Sequence, residues 1–398
     1  MPPSLDEADA GEVASKGDMI SISWQSLNHD PELLDPNLKP HVVILSDALQ
    51  LANRPGRLVQ AIHVIKNRFP GSLLWTPGLG GPDNCAVLAW FGVDLFDTTR
   101  TAQAQAHGAV LTWNGPRPAI ANEVANSHWE SAIAEVHSAI SRNRLRELAQ
   151  SQSMNSPRLV EHLRRHDQII HSSEGVLSQV VPRGTALRIH SSEGHHDPVI
   201  VDWIDFITND YTKPNGLDEV LILLPCSARK PYSSSQSHKS FRRAINHSSA
   251  HEVIVTSPLG LVPRDLEEVW PAGHYDIPVT GDWTKDEESR VKDMLDSLIS
   301  RNNYRVIINH SGLQYDSDVR VIDTRQGLSA TNYEALDRLN KAVDENIQVR
   351  KRSGEMINLG NFKSVARFHH LNDDWLNGVQ VRGRFPRWKI LKDGEQIA

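Results

Sequence analysis

The run Val220-Leu-Ile-Leu-Leu224, closed by Pro225, constrains the fold of this chain more than any other stretch. Five consecutive apolar residues bounded by a proline predict a buried strand. The pattern recurs downstream. His251–Thr256, Asp276–Thr280 and Tyr304–Asn309 read as further strands. Between and after them, Ser237–Asn246, Arg264–Trp270, Lys285–Asn302 and Ala330–Asn346 carry helical spacing. Strand and helix in alternation predict a three-layer α/β domain with a mostly parallel sheet over residues 181–350.

In such a sheet, ligands bind beyond the carboxyl ends of the strands. The predicted ends hold Cys226, Ser257-Pro-Leu-Gly260, Thr280-Gly281-Asp282-Trp283 and His310-Ser311-Gly312. Cys226 opens the densest of them, with Lys230, Tyr232, Ser235 and His238 within the next twelve residues. A nucleophilic cysteine needs a cation or a helix N-terminus to become thiolate, and neighbours that move protons. Against that stands the plain alternative of a small buried core residue. Ser257, Gly260, Gly281 and Asp282 are the candidate substrate contacts.

The spacing Pro225-Cys226, then Lys230-Pro231-Tyr232, then Ser235, then His238 resembles the signature of the archaeosine synthase family, archaeal paralogues of tRNA-guanine transglycosylase. Ser257-Pro-Leu-Gly260, Pro263-Arg264 and Tyr275-Asp276-Ile-Pro278-Val-Thr280-Gly281 resemble that family's central domain. The resemblance implies a tRNA substrate bearing 7-cyano-7-deazaguanine in the D-loop, an amine donor (lysine in the family) that adds to the nitrile, and a radical-SAM partner enzyme. By itself it leaves open whether Cys226 is the nucleophile or part of a donor-binding loop.

Upstream, residues 1–18 read as a disordered acidic tail and 19–180 as one region. There His41–Leu45, Ser72–Thr76 and Gly92–Phe96 are predicted strands, and Gly56–Arg68, Asp83–Phe91, Glu123–Ile140 and Pro157–Asp167 predicted helices, with Asp83 as an N-cap. Thr76-Pro-Gly78, Asn84–Leu88 and Gly92–Asp97 resemble pieces of the transglycosylase barrel, which implies a degenerate TIM-barrel-like domain. The segment is short for an eight-stranded barrel. Base exchange needs two placed carboxylates; Asp47, Asp94 and Asp97 lie near strand ends, but neither role maps onto them.

The family's zinc module needs a cysteine cluster. This chain has only Cys85 and Cys226, so no metal and no cofactor are expected, and His128 is left without thiolate partners. Glu193-Gly-His195-His196-Asp197 lacks the spacing of a metal site, and its surroundings, Val176–Asp202, suggest short strands. Two cysteines and no apolar run of membrane length suit a cytoplasmic protein without a membrane partner.

The net charge of −7 does not by itself suggest a nucleic-acid partner, so any tRNA grip must be local. Arg350-Lys351-Arg352 and the Arg382, Arg384, Arg387 and Lys389 stretch, interleaved with Phe385 and Trp388, are candidate RNA contacts. A solvated strand with buried aromatics explains the second stretch equally well. Residues 351–398 read as a small α+β segment, and the resemblance implies that it leads into an incomplete PUA-like domain. The sequence leaves a homodimer open. The function expected is tRNA modification by amine addition to the nitrile. The alternative is an inactive tRNA-binding subunit of a transglycosylase system; an active transglycosylase is disfavoured by the missing cysteines and carboxylates.

Overall fold

A computed structural model describes residues 19–172, 186–214, 217–246, 249–277 and 283–347, and the backbone of strands at 379–384, 387–392 and 395–396. The chain divides into two compact units. One comprises residues up to 182 together with 190–198, the other 183–189 and 199 onward.

The first unit runs β1 (Met19–Ile22), α1 (Trp24–His29), β2 (Val42–Leu45), α2 (Ala48–Ala52), α3 (Arg57–Arg68), β3 (Leu73–Trp75), α4 (Cys85–Phe91) and α5 (Thr99–Ala106). A hairpin of β4 (Ala109–Thr112) and β5 (Gly115–Pro118) follows, then α6 (Trp129–Ser141), α7 (Leu145–Ser153) and α8 (Pro157–Ser172). Strands β1, β2 and β3 pair in sequence order, each parallel to the last. The core joins Ile20, Val43, Leu45 and Leu74 of this sheet to Leu58, Ile62 and Ile65 of α3. These helix positions are spaced by three or four, which puts them on one face.

Two local expectations change. Gly92–Phe96 forms no strand; a single parallel bridge joins Leu95 to Trp75, because Asp94 turns into bonds with the Leu74 amide and Lys66. Helix α4 starts after Asn84 rather than Asp83. Asp83 instead takes a bidentate ion pair from Arg100, at 2.8 and 2.9 Å.

The second unit runs β6 (Leu187–Arg188), α9 (Pro198–Asn209), β7 (Val220–Pro225), α10 (Gln236–Ile245), β8 (His251–Thr256), β9 (Gly260–Pro263), β10 (Tyr275–Asp276), α11 (Lys285–Arg301), β11 (Val306–Asn309), β12 (Arg320–Asp323) and α12 (Tyr333–Asn346). Helix α9 and a 3-10 turn at Ser192–His196 replace the short strands expected before Asp202, of which only β6 forms among the described residues. The predicted helix Arg264–Trp270 is a single 3-10 turn at Arg264–Leu266. Farther on, β13 (Val379–Arg384), β14 (Arg387–Lys392) and β15 (Glu395–Gln396) form an antiparallel sheet.

The main sheet has the order β12-β11-β7-β8-β9. All pairings are parallel except β8 with β9. Strand β7 is central, and Val220 through Leu224 are fully buried. Val220, Ile222 and Leu224 pack with Phe241 and Ile245 of α10 and with Leu339 and Val343 of α12. Leu221 and Leu223 belong to the opposite core, with Trp203 and Ile207 of α9 and Met294, Leu295 and Leu298 of α11. The unit is therefore three-layered, and an unbroken apolar run is what a strand covered on both faces requires. Burying five such side chains contributes on the order of 10 kcal/mol before the entropy of ordering them.

After β7 the chain passes through α10 to β8 on one side, and later returns through α11 to β11 on the other. The strand order thus reverses at β7. Open α/β sheets place their binding crevice at such a reversal, beyond the strand carboxyl ends. Cys226 is the residue that follows β7.

Candidate active site around Cys226

Cys226 is half-buried at the end of the central strand. Burial pushes its thiol pKa up; a bond from the Thr256 hydroxyl and the charge of Lys230 oppose this without cancelling it. The Lys230 ammonium lies 4.1 Å from the centre of the Tyr275 ring. Burial lowers its pKa, against the opposing pull of Cys226 and Asp276. Desolvation therefore drives both groups toward their neutral forms, the acid up and the base down.

A cluster of hydroxyls adjoins this pair. Tyr232 is fully buried, and its hydroxyl meets Thr256 Oγ1 at 3.3 Å and the Tyr275 hydroxyl. Thr256 Oγ1 lies 2.7 Å from the Tyr275 hydroxyl. Burial first, and for Tyr232 the neighbouring Tyr275 next, raise the Tyr232 phenol pKa; burial likewise raises that of Tyr275. Both phenols stay protonated and can donate. The Cys226 thiol and Lys230 are thus lined by three donor hydroxyls brought from β8, β10 and the motif loop.

Ser235 and His238 play other parts. Ser235 caps α10, accepting from the His238 amide at 3.3 Å. The ring of His238 is 1% exposed, and both nitrogens are engaged. Nε2 bonds the Pro225 carbonyl at 3.0 Å and Nδ1 the Arg264 guanidinium at 2.9 Å. Burial, then the Arg264 charge, lower its pKa to about 3. With both ring nitrogens engaged, this imidazole holds the end of β7. Arg264 also reaches Glu252 at 2.9 Å and Glu267 at 2.7 Å, and Glu267 accepts from the Ser233 amide at 3.0 Å. This buried ionic network pins the motif loop at both its ends.

Among the other sequence candidates, Ser257 donates to Glu287 of α11. Gly260 has φ of 72°, and a Cβ there would lie 2.2 Å from Met294 Sδ, so the glycine serves the β8–β9 turn. Gly281, Asp282, Arg350, Lys351 and Arg352 lie outside the described residues. The hairpin register sets Arg382 opposite Lys389 and Arg384 opposite Arg387. His310 is buried, with its nitrogens on Thr324 at 2.7 Å and the Ala330 carbonyl at 2.8 Å.

Thr256, Tyr275, Asp276 and Arg264 are the site residues that sequence reasoning missed. Thr256 was reachable as the last residue of a predicted strand. Tyr275 stood in a stretch that resembles the family's central domain, but its place under Lys230 and beside Thr256 comes only with the fold. In the first unit, Asp97 is held by the Gly78 amide at 2.7 Å and the Trp75 indole at 3.1 Å, and Asp47 by the Trp24 amide at 3.0 Å. His128 bonds Glu123 at 3.0 Å. No cluster of three or more potential metal ligands occurs among the described residues, and no helix there is long and apolar enough to cross a membrane.

Residues 200–344 match the model of a domain of unknown function, DUF5591. The chain is 30% identical to the archaeosine synthase subunit alpha of Methanosarcina acetivorans, over 90% of this chain and 65% of that protein. The Thermoplasma acidophilum subunit alpha is 29% identical, over 89% and 69%, and the Haloferax volcanii archaeosine synthase 33%, over 70% and 52%. The chain therefore spans between about half and just over two thirds of the length of these curated relatives. A crystal structure of a protein of unknown function aligns at 21% identity and a TM-score of 0.35, over 50% of this chain and 66% of that one. With the Cys226 motif at the carboxyl end of a central parallel strand, the chain is similar over most of its length to curated archaeosine synthases and archaeosine synthase alpha subunits.

Proposed function

We propose that this protein is a tRNA-modifying transferase that adds an amine donor to the nitrile of 7-cyano-7-deazaguanine in the tRNA D-loop. The observation that carries the reading is the convergence of Cys226, Lys230, Thr256 and Tyr275 at the switch point of the sheet. The Cys226 thiol gives its proton to a nearby base, a role for which Lys230, its pKa lowered by burial, is placed. The sulfur attacks the nitrile carbon, and one π bond of the nitrile becomes an N–H, with the proton supplied by Lys230 or a phenol. The thioimidate so formed is attacked at the same carbon by the donor amine, and the C–S bond breaks. Sulfur leaves as thiolate and recovers a proton from the amine nitrogen. The product is an amidine, with every atom of nitrile and amine retained and no oxidant or reductant used. Lysine as donor and a radical-SAM enzyme acting on the adduct are part of this reading.

The raised thiol pKa favours one competing reading, in which the motif holds the amine donor and Cys226 forms no bond. In the first unit, sequence-ordered parallel strands support descent from a transglycosylase barrel. The local bonds of Asp47, Asp94 and Asp97 support a scaffold without exchange chemistry. The test is incubation with tRNA carrying the nitrile base and lysine, followed by nucleoside mass spectrometry. A mass gain of one lysine on that base is expected. An unchanged base would overturn the reading.

A further inference from the structure

Helix α10 begins with the Ser235 cap and carries three cations along its outer face. Lys239, Arg242 and Arg243 are exposed, while His238, Phe241 and Ile245 face the core. Residues three and four apart on a helix are neighbours, so the cations form one stripe. Together with Asn246 they line a surface recess of about 370 Å³. Among the described residues none of the three pairs with a carboxylate. On the neighbouring surface helix α12 the opposite holds: Lys341 pairs with Asp337 at 2.8 Å and Arg338 with Glu334 at 4.0 Å.

A solvated helix face usually mixes signs, and a chain of net charge −7 has carboxylates to spare. The helix dipole favours Arg242 and Arg243 in the last turn, but not Lys239 a turn earlier. A recess lined by three cations that pair with no carboxylate among the described residues suits a polyanion that supplies successive charges. Arginine takes phosphate oxygens through its fork and lysine as a point charge. Helix α10 runs back from the carboxyl end of β7 toward the start of the parallel strand β8, so the stripe begins about one turn past the Ser235 cap and leads away from the Cys226 loop, with Arg243 about 12 Å along the axis from Ser235.

We infer that Lys239, Arg242 and Arg243 are a phosphate-binding surface that seats the tRNA backbone on the helix that follows the Cys226 loop. This rests on the tRNA-modifying function proposed for the chain. The contact is to phosphate, so it is indifferent to base sequence and strongly salt-dependent.

The experiment titrates a fluorescent tRNA transcript with the full chain across a series of KCl concentrations. The triple variant Lys239→Gln, Arg242→Gln, Arg243→Gln removes the charges while keeping unbranched polar side chains of similar helix propensity. Removing one cation from a phosphate lowers the slope of log Kd against log salt by about 0.7 to 0.9. The triple variant should lose about two units of slope and bind at least ~10-fold more weakly in low salt. Lys341→Gln should leave both unchanged, and the exchange Lys239→Arg, Arg242→Lys, Arg243→Lys should retain the slope. A folded triple variant, checked by circular dichroism, with wild-type slope overturns the surface. So does a charge-conserving exchange that binds as weakly as the triple variant. If the triple variant does not fold, Lys239→Glu alone carries the test, with a loss of about one unit expected and no loss overturning the inference. Conversion of the nitrile base by wild type, with an unchanged triple-variant slope, defeats the surface and leaves the function standing. Wild type that neither binds nor converts tRNA defeats both.

Discussion

Lys230 sits over the face of Tyr275, 4.1 Å from the ring centre, and the hydroxyl of that ring bonds Thr256, the residue that also bonds the Cys226 thiol. Base, ring, hydroxyl and thiol are thereby linked through two side chains delivered by different strands. A change at any one of them should be read out at the sulfur.

The thiol pKa offers that readout without any tRNA. Thr256→Val and Lys230→Gln each remove a group that holds the Cys226 pKa down, so both should move the pH midpoint of thiol alkylation upward. Thr256→Val also strips a partner from two buried phenols, at a cost of about 1–3 kcal/mol. A midpoint that stays in place, or falls, would show that neither group contacts the sulfur in solution. Buried Cys85 supplies a background to be removed by carrying out the titration in a Cys85→Ala chain.

Cys226→Ala should abolish amine addition while the thermal midpoint stays within a few degrees, because the side chain is small and only half-buried. Nucleoside mass spectrometry and a melting curve measure the two. Full activity in the alanine variant would exclude a covalent step and assign the loop to donor binding.

Arg264→Ala should be the most damaging single change near the site. It leaves Glu252 and Glu267 buried without their cation and unties His238, with an expected loss of about 3–5 kcal/mol in denaturant unfolding. Lysine should not rescue it, because one ammonium does not reproduce a fork shared among three partners. A variant within ~1 kcal/mol of wild type would mean that the network does not hold the loop. As His238 is neutral and engaged at both nitrogens, the activity profile between pH 5.5 and 7.5 should show no limb that His238→Gln removes.

The second unit should weaken in acid well before its exposed carboxylates titrate. Burial lowers His238 and His251 to about 3 and His310 to about 4, all below the unfolded value of 6.5. The unfolded chain therefore binds these protons first, and the stability they contribute is full above pH 6.5 and lost as pH falls toward 4. Asp265 acts in the opposite sense. Burial raises it to about 7, so its contribution grows as pH falls below 7. Three imidazoles against one carboxyl leave a net of two protons, worth about 3 kcal/mol per pH unit in that window. Urea midpoints should drop steadily from pH 7 to pH 5, and a flat series would mean that these rings are solvated.

The sequence by itself determined the second unit's architecture and the place of its site. Val220–Leu224 is apolar at every position, which only a strand covered on both faces tolerates, and the polar, proline-bounded loop after it could only lie at the strand's carboxyl end. Local spacing likewise determined α10, α11 and α12 to within a few residues, since a periodic apolar face is a short-range property of the chain. Gly92–Phe96 shows where short-range reading ends: its apolar pattern suits a strand, but Asp94 finds Lys66 and the Leu74 amide, and those partners exist only once the sheet and α3 are packed. The division of labour within the motif was equally invisible. Lys230 and His238 both follow Cys226 within twelve residues of sequence. Only the tertiary structure decided that Lys230 shares the desolvated space around the thiol, while His238 is turned under the loop to Pro225 and Arg264. Tyr275 and Thr256 reach the site through strand pairing across more than forty and twenty residues of chain, and no local pattern records which distant hydroxyl a buried thiol will meet.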